Sequence, residues 1–389
     1  MDNARWAASV VGLALVAVTC RSVFLALLLP RAVRSRAAAA VDRAVTAPVQ
    51  AWARTAPDFD AADRRLAAIG PLVLLAQLAA FSGAFLAGFT LMLWGFVPDL
   101  GEASREIASS MLTLGFAATS KPGPSVIDFG AGMAGFGLVT LQIAYLPTIY
   151  DAFNRREQAV TLMASRGGSP PWGPEILVRH QFVGLLDDLP RLYNEWERWA
   201  ADLSESHTNY PVLLRLRSPH VDRFWLLSLV AVMDAAAMHL ALCPHAAPSS
   251  ARLCLRMGFV SLRDIAATME IPFDPDPRPD TPIELTFGEY AAGVAHVSSS
   301  SFPVERSAEQ SWADFRGWRV NYETVAYELA DRLAAPPTLW SGTRRPFDFP
   351  PLLPHRPAHR RPNDPEAASQ VHPDFAAALE VTELRPPVQ

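Results

Sequence analysis

Three apolar stretches, residues 6–29, 70–97 and 126–150, constrain this chain more than anything else in it. Each exceeds the roughly 20 helical residues that cross about 30 Å of hydrocarbon. Half of all residues are hydrophobic and 19% are charged, against about a quarter in soluble domains. An all-α membrane protein is therefore expected. Arg31, Arg34, Arg36, Arg43, Arg54, Arg64 and Arg65 lie between the first and second stretches. Only Arg105 and Lys121 lie between the second and third, and only Arg5 precedes the first. The positive-inside rule then places the N-terminus outside, the Arg-rich loop inside, residues 98–125 outside and the C-terminal half in the cytoplasm.

The first stretch is read as a retained span, because its apolar run is longer than a signal peptide's and ends in Pro30-Arg31. Arg21, near its inner end, reaches the interface or faces other helices. Cys20, Cys243 and Cys254 are the only cysteines. They form no disulfide framework and suit a reducing compartment.

The connection 98–125 is organised as a short helix and a break. Asp99 or Gly101 starts the helix, with Glu102 in its first turn, where an acid suits the helix dipole. Ser109 and Ser110 lead into Thr113-Leu114-Gly115-Phe116-Ala117. Helix, half-depth hairpin and helix is the layout of a pore loop, in which irregular backbone survives only beside protein or a watery cavity. Thr-Leu-Gly-Phe resembles the start of the potassium-channel filter pattern, Thr-x-Gly-Tyr/Phe-Gly-Asp. In such a filter, carbonyls and a threonine hydroxyl replace the ion's hydration shell. Glycines supply the left-handed backbone angles this needs. Ala117 stands where the second Gly would be and Ala118 where the outer Asp would be. Alanine in a left-handed conformation costs roughly 1 kcal/mol or more, so a distorted or missing outer site is expected. The bland reading is an ordinary helix end between packed spans.

In the third span, Gly130-Ala131-Gly132-Met133-Ala134-Gly135 spells a dinucleotide fingerprint. No strand precedes it, which removes that reading. Gly130, Gly132, Gly135 and Gly137 are expected to let helices pack closely, ahead of a hinge role. Asp128 is either a carboxylate at the pore mouth or an interfacial acid without a role. Pro147 is a candidate kink.

Residues 151–270 read as a helical cytoplasmic domain. Within it, 225–243 is taken as a buried helix rather than a fourth span, because it carries Asp234 and His239. Residues 271–335 read as a Pro/Asp linker with short helices, and 336–389 as a Pro-rich, disordered tail. His239, Cys243, His245 and Cys254 lack the spacing of a zinc finger, so no metal is expected. No catalytic constellation, cofactor motif or nucleic-acid partner is expected.

The layout resembles bacterial two-helix pore-loop membrane proteins of the potassium channel or ion channel family. Besides Val23-Phe24 and the pore element 110–116, the resemblance rests on Arg166-Gly167-Gly168-Ser169-Pro170-Pro171-Trp172-Gly173. It rests also on Glu195-Trp196-Glu197-Arg198-Trp199, on Ser206-His207 through Tyr210-Pro211, and on Arg217-Ser218-Pro219. It implies a homotetrameric pore with a helical cytoplasmic domain. The expected fold is three transmembrane helices, with a re-entrant pore loop between the second and third. The domains would be 1–30 (first span), 31–69 (Arg-rich loop), 70–150 (pore module) and the three cytoplasmic segments above. The expected function is passage of monovalent cations, potassium foremost, across the inner membrane. The alternative is a non-conducting, membrane-anchored scaffold or sensor.

Overall fold

The computed structural model describes residues 3–29, 35–117, 121–344 and 349–355. Among these residues every regular element is helical, and β-type pairing is limited to the isolated bridges Ser169–His355 and Thr338–Leu352. The chain forms two compact units, Met1–Ala56 with Arg64–Asp151, and Pro57–Asp63 with the chain from Ala152 onward.

The first unit holds α1 (Asn3–Val23), extended by a π-helical turn over Phe24–Leu28, α2 (Arg36–Ala53), α4 (Ile69–Trp94), α5 (Leu100–Met111) and the first part of α6 (Pro122–Gly167). The short α3 (Phe59–Leu66) divides between the units at Asp63. The expected Arg-rich loop is thus helical. Its alanine run favours a helix, and the Ser35 side chain caps α2 by accepting the Ala38 N–H at 3.4 Å.

Small residues decide how α1 and α4 meet. A β-carbon on Gly12 would lie 2.5 Å from the Gly88 carbonyl oxygen, and one on Gly95 would lie 2.3 Å from Ser9 Oγ. The Ser9 hydroxyl lies within hydrogen-bonding distance of the Met92 carbonyl at 3.1 Å, and Trp6 meets Phe96 edge-on at 5.5 Å. Close backbone approach of this kind replaces the hydrophobic drive that helices lack in lipid.

Among the described residues, four stretches are long and apolar enough to cross a membrane: Ala4–Leu28, Phe59–Trp94, Pro122–Gly167 and Trp225–Leu242. In the first three, only 22–33% of the apolar window is buried by protein, and in the fourth 94% is. The first three therefore turn their apolar surface outward, as lipid-facing helices do, while the fourth is enclosed by protein.

That fourth stretch is α9 (Trp225–Leu242), the axis of the second unit. Around it stand α7 (Gly173–Phe182), α8 (Leu189–Asn209), α10 (Ser249–Thr268), α11 (Phe287–Ser299), α12 (Ala308–Arg319) and α13 (Glu323–Arg332). Gly173 and Gly258 bring α7 and α10 onto it: added β-carbons would lie 2.7 Å from Asp234 Cβ and 2.6 Å from Met233 Sδ. Capping boxes, Thr286 with Glu289 and Ser307 with Gln310, start α11 and α12.

Two expectations about the C-terminal part need correction. Residues 287–332 form three full helices of the core rather than a linker with short helices. Residues 336–344 are not part of a disordered tail as expected, since Leu339, Trp340, Thr343 and Arg344 are buried. Trp340 fills a slot walled by Trp172, Tyr290 and Phe315, and Gly293 leaves it room. The tail beyond residue 355 lies outside the described residues.

Candidate functional site

The pore element lies in the first unit, at the end of α5. Asp99 caps this helix, its carboxylate accepting the Glu102 N–H at 3.0 Å. At 12 residues, α5 is about 18 Å long, too short for the roughly 30 Å of a span. Ala103, Ile107 and Met111 form its inner face and join Phe81, Phe85, Phe89 and Leu93 of α4 and Ala131 and Leu138 of α6 in one core.

The helix ends in a double hydrogen bond. The Leu114 N–H donates to the Ser109 carbonyl at 2.8 Å, and the Thr113 N–H donates to the Ser110 carbonyl at 3.1 Å. Thr113 is left-handed, with φ +56°. Together these make a Schellman ending, with threonine at the position glycine usually takes. Gly115 is left-handed as well, with φ +70°, and Leu114 between them is not. Ala117 is not left-handed, so the strain expected there is absent. Instead the Ala117 N–H donates to Ser109 Oγ at 3.0 Å. The guanidinium of Arg105 stands 5.4 Å from the centre of the Phe116 ring.

Leu112, Leu114 and Phe116 are 58%, 59% and 54% exposed. Three large apolar side chains in a row of five stand uncovered in a single chain. Ala118 lies outside the described residues.

Behind the loop runs α6. Its glycines differ. A β-carbon on Gly135 would lie 2.2 Å from the Met111 carbonyl oxygen, and one on Gly130 would lie 3.3 Å from the Phe89 ring. A β-carbon on Gly132 would lie 3.4 Å from the Ser110 carbonyl oxygen, and one on Gly137 would meet nothing within 4 Å. The helix assignment continues through these glycines and Pro147, and close packing accounts for Gly135 and Gly130. Asp128 requires a correction: it is 8% exposed and packed inside the unit, with Oδ1 lacking a hydrogen-bond partner among the described residues. A carboxylate ringing a pore mouth would stand exposed on the isolated chain. The heptad-like spacing explains the difference, because residues 124, 128, 131, 135, 138 and 142 form the buried stripe.

The opposite stripe is bare. Val126, Phe129, Met133, Phe136 and Ile143 are 64–77% exposed. Their spacing of three and four residues matches an a/d seam.

The second unit offers a different chemistry without an open site. His239 meets the Tyr193 hydroxyl at 3.2 Å, His245 pairs with Glu305 at 2.8 Å, and the Cys243 thiol donates to the Pro303 carbonyl. Burial pushes that thiol up to about 11. His239, Cys243 and His245 thus have separate partners, Cys254 is buried as a free thiol, and among the described residues no three metal-ligating groups converge. A shallow depression lies over Trp196 and Trp199, lined in part by Arg166 and Glu195, which pair at 3.4 Å.

Sequence reasoning singled out Thr113 and Gly115 but passed over Ser109, which the loop folds around. The available signal was a serine four residues before the threonine, at a position where a hydroxyl can reach past a helix end. No protein-family model, curated protein or solved structure matches this chain.

Proposed function

We propose that this protein is one subunit of a pore-loop cation channel, potassium-channel-like with a shortened filter, Thr113-Leu114-Gly115-Phe116-Ala117. The observation that carries the reading is the alternation of backbone handedness at Thr113, Leu114 and Gly115, on an exposed loop after a half-length helix. Alternating left- and right-handed residues can turn successive carbonyls to one side, which is what a dehydrated cation requires.

One such loop cannot enclose an ion path, so four copies surround the axis. The bare a/d seam of α6 supports self-association, the remaining apolar surface of α1 and α4 meets lipid, and the second unit is cytoplasmic. The arginine distribution supports that orientation in a bacterial inner membrane.

Ion flux from purified protein in liposomes tests the proposal, first under a potassium gradient and then under a sodium gradient. Potassium flux well above sodium flux is expected. Equal fluxes would leave a non-selective cation pore. An intact tetramer without flux would favour the second reading, a non-conducting scaffold or sensor. The Schellman geometry favours that reading, since Thr113 ends α5 as many helices end. Flux appearing only in the double variant Ala117→Gly, Ala118→Asp would establish it.

A further inference from the structure

The loop is tied at both ends to one residue. Ser109 is wholly buried. Its carbonyl accepts the Leu114 N–H at 2.8 Å and faces the Gly115 N–H at 3.5 Å, while its hydroxyl accepts the Ala117 N–H at 3.0 Å. Eight residues of chain return to the side chain they started from. A potassium filter would rely at this point on a second glycine and an outer acid, and here Ala117 has an ordinary backbone conformation.

We infer that the Ser109 hydroxyl is the positioning group that closes the loop and sets its width, in place of the second glycine. The inference rests on the pore-loop reading above and names the residue on which ion discrimination would depend.

The physical argument runs through the Ala117 amide. A backbone N–H left without a partner at the half-buried Ala117 draws in water or turns the peptide to find another acceptor. Turning the peptide at 117 rotates the Phe116 carbonyl, because both belong to one planar unit. The Ser109 bond therefore fixes the direction of the last filter carbonyl without touching an ion. The Arg105 guanidinium over the Phe116 ring holds the side chain of the same residue and leaves the carbonyl free. Ser110, the neighbouring serine, contributes only its carbonyl to the loop bonds described.

The test compares Ser109→Ala, Ser109→Thr and the control Ser110→Ala in the full chain, reconstituted in lipid. Amide hydrogen exchange over residues 113–117 is read beside the potassium-to-sodium flux ratio. In Ser109→Ala, exchange at Ala117 should quicken about five- to tenfold, the weight of one hydrogen bond, and the flux ratio should fall toward one. Threonine keeps the hydroxyl and should restore both readings, and Ser110→Ala should change neither. Unchanged exchange at Ala117 in Ser109→Ala would overturn the tether. Faster exchange with an unchanged flux ratio would reduce Ser109 to a packing role. Absence of flux in the unaltered protein would remove the conducting reading, leaving the tether to stand or fall by the exchange data.

Discussion

The two units hold themselves together by opposite means. The first relies mainly on shape: Gly12, Gly88, Gly95, Gly130 and Gly135 let helix backbones approach around an apolar core cluster, and among the described residues the charged side chains it buries are the acids Asp42, Glu106 and Asp128. The second buries charge. Arg319, fully enclosed, donates to Asp234, to Glu323 at 2.8 Å, and to the Tyr327 hydroxyl and Trp340 carbonyl at 2.7 Å each. Arg344 reaches Glu289 at 2.7 Å, and Glu175 joins Arg179 and His296 at 2.8 Å each. A helix bundle facing lipid gains little from hiding apolar surface, so contact at close range must serve instead. A bundle in water hides apolar surface freely and can carry buried ions, provided every one is paired.

The largest effect should come from unpairing those ions. Burial opposes the charge on Arg319, and Asp234, Tyr327 and Glu323 more than offset it, holding its pKa well above the usual arginine range. Arg319→Met would leave Asp234 and Glu323 enclosed without their cation, at a cost of roughly 3–5 kcal/mol. The Trp340 carbonyl would lose a donor at the same time. The second unit should lose protection from trypsin at ordinary temperature while the apolar helices of the first stay protected in lipid. A tryptic pattern like that of the unaltered protein would mean that packing, rather than ion pairing, holds this unit.

In the first unit the matching change is a branched apolar side chain where none fits. Gly135→Val places carbon against the Met111 backbone, which cannot swing aside as a side chain would. Overpacking of this kind costs about 1–3 kcal/mol, and α5 should shift, carrying the loop with it. A thiol at position 114, introduced as Leu114→Cys, should then change its labelling rate severalfold. Gly137→Ala meets nothing within 4 Å and should stabilise α6 slightly, by up to about 1 kcal/mol. Equal disturbance from both variants would refute close packing as the role of Gly135.

These contrasts also show what the sequence disclosed. The apolar spans were legible because length and hydropathy are local properties. So was the start of the short helix at Asp99. The burial of α9 was legible from Asp234 and His239, which suit a protein interior better than a bilayer. Composition averaged over the tail hid Trp340 and Arg344, whose partners Tyr290 and Glu289 lie 50 and 55 residues earlier. The helix over Arg36–Ala53 rests on the alanines between its arginines, whereas charge alone marks the segment only as a connection between spans. At the candidate site, Thr113 and Gly115 stood out by residue type. The burial of Asp128 and the role of Ser109 depend on helix phase and on a hydroxyl's reach, which a motif does not encode.

Acid should separate the units again, with a smaller effect. All nine histidines fall between His180 and His372, outside the first unit. His207 is held well below the usual range, first by burial and then by Arg156, whose guanidinium points at Nε2 from 3.2 Å. The ring is neutral when folded, with Nε2 as acceptor. Burial lowers His180 similarly. Unfolded histidine takes up a proton near pH 6.5, so below that pH the unfolded state binds more protons. Stability present at neutral pH is then lost as pH falls, by about 1 kcal/mol per pH unit for His207 alone. Urea midpoints of the second unit should drop between pH 6.5 and 5.5, and His207→Gln should flatten that slope. A midpoint that holds through this window would exclude the buried neutral histidine.

The smallest effect should come from charge left in water. Arg155 and Asp202 pair at 3.2 Å, with side chains 56% and 42% exposed. The guanidinium meets the carboxylate through two nitrogens, at 3.2 and 3.3 Å, yet solvent screens the pair and both side chains lose freedom in meeting. Asp202→Asn should therefore shift the unfolding midpoint by less than about 0.5 kcal/mol, and raising salt should erase even that. Arg155 sits one position before Arg156, which is buried against the Leu213 and Leu216 carbonyls at 2.9 and 2.7 Å. Neighbours on one helix thus carry the same charge to opposite consequence. If Asp202→Asn proved as damaging as Arg319→Met, burial would not be what gives charge its weight in this unit, and the contrast between the two halves would lose its physical basis.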